Sequence, residues 1–501
     1  MHNILLLSML LITTAISPWV SAQSGKAPNI IVILADDLGF GDLSCYNPAS
    51  RIKTLHIDKL AENGVSFHDA HTASSVCTPS RYALLTGRYP WRSKLKSGVL
   101  WAYDWPLIEP GRETMASYFR KKGYSTALAG KWHLGWRWPV KPGETIDTIS
   151  FGGRKEEQTL LRESKIDFTS RVLGGPMDCG FDYTFAVDIP SLPPFAFMEN
   201  GYWSGGTPTI MKPDTMSGAK GLMQEGWQSS EMNARVMSKA FQFIKASARD
   251  PFFLYLPLNI PHQPVAPAAE FTGSSAAGDY GDFVMEMDAY IGKLITLLTE
   301  IGAYENTIIV FTSDNGSVND AGDNKLKGPD WSQFGSGFSM FGHRSNGQWR
   351  GMKGDIWEGG HRVPLIIQWP RGIPGGRISQ QLVGLQDLFS TLASLSGGKT
   401  VKGISEDGVD FSSSLTGNKD GKGRDHIIFH SSRGELAVRQ GRWKFINCNY
   451  SGGNLFNPFI PNNQTYTTSG QLYDMQKDPL EQNNLYDSLP SVVAKLRALI
   501  R

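Results

Sequence analysis

The chain has 501 residues, 40% hydrophobic and 19% charged, a globular composition long enough for one large domain and a smaller companion. Forty-nine Lys and Arg against 47 Asp and Glu leave a formal charge of +2, which argues against a generally basic, nucleic-acid-binding surface; any cationic site must be local. Four cysteines are too few for a disulfide framework in a chain this size, and allow at most one pair beside Cys77.

In chain order, the apolar run Ile4 to Ile16 is short for a membrane span and ends at Val20-Ser21-Ala22, a small-residue cleavage pattern. Residues 1–22 read as a signal peptide of an exported, periplasmic or secreted protein. An N-terminal membrane anchor is the competing reading, since only His2 and the terminal amine precede the run with positive charge. No later segment reads as a transmembrane span.

Four short apolar runs then recur, each leading at once into polar residues. Ile30 to Leu34 precedes Asp36-Asp37, and Ser125 to Ala129 precedes Gly130-Lys131-Trp132-His133. Phe252 to Leu256 precedes Asn259-Ile260-Pro261-His262, and Thr307 to Phe311 precedes Ser313-Asp314-Asn315-Gly316. Such runs suit strands buried on both faces of a largely parallel sheet. Helical patterns lie between them at Thr54 to Gly64, Thr114 to Lys122, Met232 to Ala246 and Asp282 to Ile301.

The expected fold is therefore α/β: a large mixed, mostly parallel sheet sandwiched by helices, with ligands outside the carboxyl ends of its strands. Its domain is placed at 27–398. A C-terminal α+β subdomain is placed at 399–501, with short antiparallel strands in Asp425 to His430, Glu435 to Phe445 and Gln471 to Tyr473, and a closing helix over Ser488 to Ile500. Two long stretches without periodicity, Trp136 to Gly226 and Gly316 to Gly351, read as pocket-shaping loops packed by Trp203, Trp227, Trp331, Phe334 and Phe338.

Within residues 77–88, Pro79 suits a first helical turn, and Gly87 marks the helix end. Cys77 thus sits at a helix N-terminus with Arg81 one turn on, a setting that favours an anion and lowers a thiol pKa.

Cys77-Thr78-Pro79-Ser80-Arg81, extended by Leu85-Thr86-Gly87-Arg88, resembles the signature of the formylglycine-dependent (type I) sulfatases of the alkaline-phosphatase-like superfamily. The resemblance, which is to secreted bacterial polysaccharide sulfatases, runs from Pro28 to about Leu485. It takes in Asp36-Asp37, Gly130 to Gly135, Pro261-His262, Ser313 to Gly316, Arg350 to Gly354, Glu358 to Gly360, Leu472 to Asp474 and Lys477 to Pro479. It implies hydrolysis of a sulfate monoester. A maturation enzyme of such families oxidises the cysteine to an aldehyde, formylglycine (3-oxoalanine). Its hydrate has one hydroxyl to attack sulfur and a second whose deprotonation expels sulfate, an exit that serine lacks.

Asp36, Asp37, Asp314 and Asn315 are hard oxygen donors of the kind Ca²⁺ or Mg²⁺ prefers. The resemblance places one such ion on them and on the side chain at Cys77; calcium is favoured for its flexible coordination, and magnesium stays open. It also assigns Arg81 to anion stabilisation and Lys131 and Lys353 to the sulfate and leaving group. His133 is expected as the base and His262 as the acid that protonates the leaving oxygen. Arg88, Glu358, His361 and Arg362 are expected to support the site from outside.

Trp101, Trp105, Trp132, Trp136 and Trp138 crowd the same region, and those that are exposed would stack on sugar faces. With His343, Arg344 and Asn346 in a long loop, this favours a sulfated carbohydrate over a small aryl sulfate, with Trp101, Trp136, His343 and Arg344 as candidate substrate contacts. The rival readings are a phosphodiesterase or phosphonate monoester hydrolase of the same superfamily, and a non-catalytic glycan-binding relative that keeps Cys77 as a thiol.

Overall fold

The computed structural model describes residues 26–146, 156–206, 208–211, 221–318, 341–398, 403–417, 423–453 and 468–500. The signal-peptide reading of 1–22 and the packing roles of Trp331, Phe334 and Phe338 lie outside the described residues.

The four apolar runs become the strands Asn29–Asp36, Ser125–Lys131, Phe252–Pro261 and Thr307–Ser313, adjacent and parallel at the centre of a ten-stranded sheet. Tyr183–Val187 extends the parallel block on one side. On the other side Leu365–Gln368 runs antiparallel to both of its neighbours, which makes the sheet mixed. The continuous apolar sequence has a direct cause. Ile30, Val32 and Leu34 face one hydrophobic core, whereas Ile31, Ile33 and Ala35 face a second on the opposite side of the sheet. Helices Leu55–Glu62, Met232–Ala246 and Gly278–Glu300 cover the second core, and Cys77–Thr86, Met115–Lys121 and Asp387–Leu395 cover the first. Because the central strands are parallel, Asp36, Lys131, Pro261 and Ser313 all end at one edge.

A separate four-stranded antiparallel sheet is built from His426–His430, Leu436–Gln440, Trp443–Ile446 and Gln471–Asp474. The Glu435 to Phe445 stretch divides into two strands at Gly441, whose φ of +56° suits glycine. Helix Pro490–Arg497 supplies Val493 and Leu496 to a core shared with Val438 and Phe445, and with Ala73, Ala83 and Tyr89 from around the Cys77 helix. The small sheet therefore packs directly behind the cysteine. All four cysteines are free, so no disulfide braces this arrangement.

One buried carboxylate makes the fold pH-sensitive. Glu163 accepts from Tyr103 Oη at 2.7 Å and from the Leu222 backbone N–H at 2.9 Å, tying helix Glu156–Lys165 to a turn and to strand Gly221–Met223. Burial pushes its pKa up to about 7, and these two hydrogen bonds offset only part of the rise. The folded value lies above the unfolded one, so this contribution is full below about pH 4.5 and is lost as pH rises through about 7. Urea unfolding should show Glu163→Gln gaining on the wild type between about pH 5 and pH 8, by on the order of 2–3 kcal/mol; a pH-independent difference would remove this role.

Candidate active site

The four strand ends and the cysteine helix converge on one buried cluster. Asp36 closes its strand, and Asp37 follows with φ at +65°, a left-handed conformation unusual for a residue with a side chain. Two contacts hold it there: the Asp37 N–H donates to Asp314 Oδ1 at 3.1 Å, and the Leu38 N–H donates to Ser313 Oγ at 3.0 Å. Asp314 and Asn315 come from the end of Thr307–Ser313, so register between two neighbouring strands sets the carboxylates side by side.

Three cations interleave with these acids. Arg81 donates through Nε and Nη2 to Asp314 Oδ2 at 3.0 and 2.7 Å, lies 3.2 Å from Asp36 Oδ1, and reaches the Lys131 carbonyl at 3.2 Å. Lys131 Nζ donates to Asp36 Oδ2 at 2.6 Å. Lys353 Nζ lies 2.8 and 2.7 Å from the two oxygens of Asp37. Burial would raise the Asp36 pKa, but attraction from Lys131 above all, then His262, Arg81 and Lys353, holds it well below the usual carboxylate range. For Asp314 burial prevails over Arg81, and the pKa rises to about 6.

Cys77 is the first residue of its helix, after Val76 in extended conformation, and Gly87 at φ +63° ends it. The Cys77 Sγ lies 3.7 Å from Asp36 Oδ1 and 3.9 Å from Asp37 Oδ1. The expectation of a lowered thiol pKa is corrected here. Complete burial pushes the thiol up, Asp314 and Asp36 add to the rise, and the opposing pull of Lys131 and Lys353 is too small to reverse it. As a thiol, Cys77 is a poor nucleophile in this setting.

The two histidines approach from different strands. His133 has φ at +50°, and its Nε2 meets the Leu100 carbonyl at 3.0 Å. A carbonyl only accepts, so Nε2 carries the hydrogen and the buried Nδ1, which has no partner among the described residues, presents a lone pair. The Leu100 N–H in turn bonds Thr78 Oγ1 at 3.2 Å, which ties this histidine to the residue after Cys77. Burial, with Lys131 and Arg81, holds His133 well below its ordinary pKa. His262 donates from Nδ1 to the Gln263 carbonyl at 2.6 Å, leaving Nε2 at 3.7 Å from Asp37 Oδ2. Burial, then Lys131, brings its pKa down to about 4.

The substrate candidates separate by exposure. Trp136 is buried in the hydrophobic core, edge-to-face with Trp138 at 5.7 Å, and is corrected from sugar contact to packing. His343 is also corrected: it is 2% exposed and its Nε2 bonds Asp42 Oδ1 at 2.8 Å, so it braces the Gly39–Asp42 turn. Arg344 is exposed on the neighbouring turn, and Trp101 is half-buried beside Leu100. Trp132 and Trp138 are buried. Trp105, in contrast, is 51% exposed, with the Arg137 guanidinium 5.0 Å from its ring centroid. Sequence reasoning did not single out Arg137, and it missed Asp188, the residue immediately after strand Tyr183–Val187. Its strand sits in a stretch that reads as a loop, yet it belongs to the same parallel block and ends at the same edge.

His71, Glu358 and His361 form a second tight group. The Lys444 ammonium already lies within it, 2.9 Å from Glu358 Oε1 and 3.0 Å from His361 Nε2, so this group is a buried ion network. Glu358 and Arg362 belong to it through a 2.7 Å contact, while Arg88 pairs with Glu109 and Glu406.

A parallel α/β sheet that gathers carboxylates, cations, two histidines and a helix-start cysteine at its carboxyl edge defines an ester hydrolase of the alkaline-phosphatase-like architecture. The Sulfatase family profile matches residues 28–398. The chain is 31% identical to the N-acetylgalactosamine-6-O-sulfatase of Bacteroides thetaiotaomicron, covering 96% of this chain and 94% of that one. It is 32% identical to human arylsulfatase A, over 95% and 87% of the two chains. A solved structure connected with the metabolism of multiple glycosaminoglycans by Bacteroides thetaiotaomicron superposes with a TM-score of 0.78 at 30% identity, covering 95% of this chain and 99% of that one. The chain belongs to the sulfatase family and is an enzyme that hydrolyses sulfate esters. Among the described residues no helix is long and apolar enough to cross a membrane.

Proposed function

We propose that this sulfatase is exported through its N-terminal segment and removes sulfate from a sulfated carbohydrate, using formylglycine made from Cys77 by a maturation enzyme and one divalent cation, Ca²⁺ before Mg²⁺. The observation that carries the reading is the orphaned Asn315 Oδ1. Among the described residues it is buried without a hydrogen-bond partner, while its Nδ2 is occupied by Asp37 Oδ1 at 2.7 Å and the Gly316 carbonyl. A buried acceptor left open beside Asp36, Asp37, Asp314 and the Cys77 side chain fits a hard cation. The charge balance fits too, since three carboxylates meet three fixed cations, and a divalent ion would leave an excess that suits an anionic ester.

When in place, the cation and the aldehyde hydrate would supply Lewis-acid polarisation of a sulfate oxygen and a nucleophilic hydroxyl at position 77. The chain's own groups do the rest. Arg81 orients Asp36 and Asp314 by its fork, and Lys131 and Lys353 hold the ester oxygens and offset charge growing toward the leaving group. His133 Nδ1, fixed as a lone pair by the Leu100 carbonyl, takes a proton from the side chain at position 77. His262 Nε2 gains a proton as the negative ester arrives and delivers it to the leaving oxygen. Support for a carbohydrate comes from the N-acetylgalactosamine-6-O-sulfatase likeness and from the exposed Trp105–Arg137 pair, an apolar face with a cation beside it.

The test is the mass of the peptide containing Cys77, from protein made in a host that has the maturation enzyme, with turnover of 4-nitrophenyl sulfate measured on the same sample. Aldehyde or its hydrate at Cys77, with sulfate-ester turnover exceeding that of bis(4-nitrophenyl) phosphate, is the expected result. An unmodified thiol in fully active protein would refute the formylglycine reading. A preference for the phosphodiester would refute the ester assignment.

A further inference from the structure

We propose that Asp188 is the carboxyl group that hydrogen-bonds a hydroxyl of the sulfated sugar, and so makes the enzyme favour sugar sulfates over aryl sulfates. The inference rests on the carbohydrate reading given above and adds a specificity-determining residue to it. Asp188 follows the last residue of Tyr183–Val187, and its neighbour Val187 pairs with Lys131, so the side chain belongs to the edge where the ester must sit. It is 5% exposed. Among the described residues it is the one buried carboxylate with no partner at ordinary hydrogen-bond distance and angle on either oxygen, and the His133 backbone N–H lends it only a favourable pull.

Other buried acids show how unusual this is. Glu163 has Tyr103 and Leu222, Asp42 has Tyr280 and His343, and Asp288 has the N–H groups of His56 and Ile57. A buried polar group without partners destabilises the fold, and such groups persist where a ligand satisfies them. Burial pushes the Asp188 pKa up to about 8, against a pull from Lys131 and the His133 N–H. A carboxyl in that range can both donate to and accept from a sugar hydroxyl. A plain aryl sulfate offers no hydroxyl there. A site built to pair a substrate hydroxyl discriminates strongly against analogues that lack it.

The substitution to compare is Asp188→Leu, which keeps the forked shape and removes the polarity, with Asp188→Asn as the conservative variant. Kinetics on N-acetylgalactosamine 6-sulfate within a panel of sulfated sugars, and on 4-nitrophenyl sulfate, should separate. For Asp188→Leu, kcat/KM on the preferred sugar falls ~10–100-fold, aryl-sulfate turnover stays within about threefold, and the melting temperature holds or rises. Asp188→Asn recovers part of the sugar activity. A parallel loss on both substrates, a lowered melting temperature with both activities reduced, or no change on the sugar would each overturn the assignment. Wild-type turnover of the aryl sulfate with no sugar in the panel cleaved would refute the carbohydrate reading itself, and Asp188's role with it.

Discussion

His133→Asn is expected to lower kcat by ~10²–10⁴-fold, the range for removing a positioned general base, while the protein stays folded. The imidazole is held as one tautomer, because the Leu100 carbonyl takes the Nε2 hydrogen. Its Nδ1 is buried, unpartnered among the described residues and neutral across ordinary pH, since burial first, then Lys131 and Arg81, keeps its pKa well down. A base that is always deprotonated loses nothing to protonation near neutrality, so this residue should contribute no acid limb to the kcat profile there. Asparagine is the informative replacement. At φ +50° alanine would be strained, whereas asparagine tolerates the left-handed region, so lost activity cannot be blamed on the turn. Thermal melting beside single-turnover kinetics gives the check. A variant with wild-type kcat would remove His133 from proton transfer, and a collapsed melting temperature would make its role structural.

Much of this site is legible in the sequence because its residues follow strands. Ile30 to Leu34, Ser125 to Ala129, Phe252 to Leu256 and Thr307 to Phe311 are apolar throughout, since each strand has a core on both faces. Residues that follow such strands in a parallel sheet share one edge, so Asp36, Lys131, His133, His262 and Asp314 could be grouped from order alone. The helix Cys77–Thr86 was readable from Pro79 and Gly87. What could not be read was burial. It turned the Cys77 thiol from activated to suppressed, and it divided the tryptophans, putting Trp136 in the core and leaving Trp105 at the surface. His343 lies in a loop that looked like a substrate wall, but its partner Asp42 is 301 residues away in the chain, and no local pattern marks that pair. Asp188 was not singled out because Tyr183–Val187 lies inside the Trp136 to Gly226 stretch that reads as a loop, where the strand signal is short and mixed with polar residues.

Lys444→Met should destabilise the protein by about 3–5 kcal/mol, the range for removing one partner of a buried ion network. The ammonium, on strand Trp443–Ile446 of the small sheet, is fully enclosed and lies 2.9 Å from Glu358 Oε1 and 2.7 Å from Glu481 Oε1. Burial would raise Glu358, but Lys444 is the main force that holds it ionised, with Arg362 second. Methionine keeps most of the volume, so the loss is electrostatic: two carboxylates are left facing each other with Arg362 alone. Replacing the second acid tests that cause. Lys444→Met with Glu481→Gln removes the uncompensated charge and should recover part of the stability, because the excess acid sets the penalty. The network also reaches the catalytic edge. Glu481 Oε2 accepts from the Glu358 N–H at 2.7 Å, and Arg350 donates to the Glu481 carbonyl, so both ends of the segment carrying Lys353 are anchored to it. Turnover of Lys444→Met should therefore fall at temperatures where the variant is still folded. Urea unfolding of the three proteins, with kcat on the same samples, decides the matter: a single variant within about 0.5 kcal/mol of wild type, or a double variant no better than the single, would mean that packing, and not this charge, joins the small sheet to the active site.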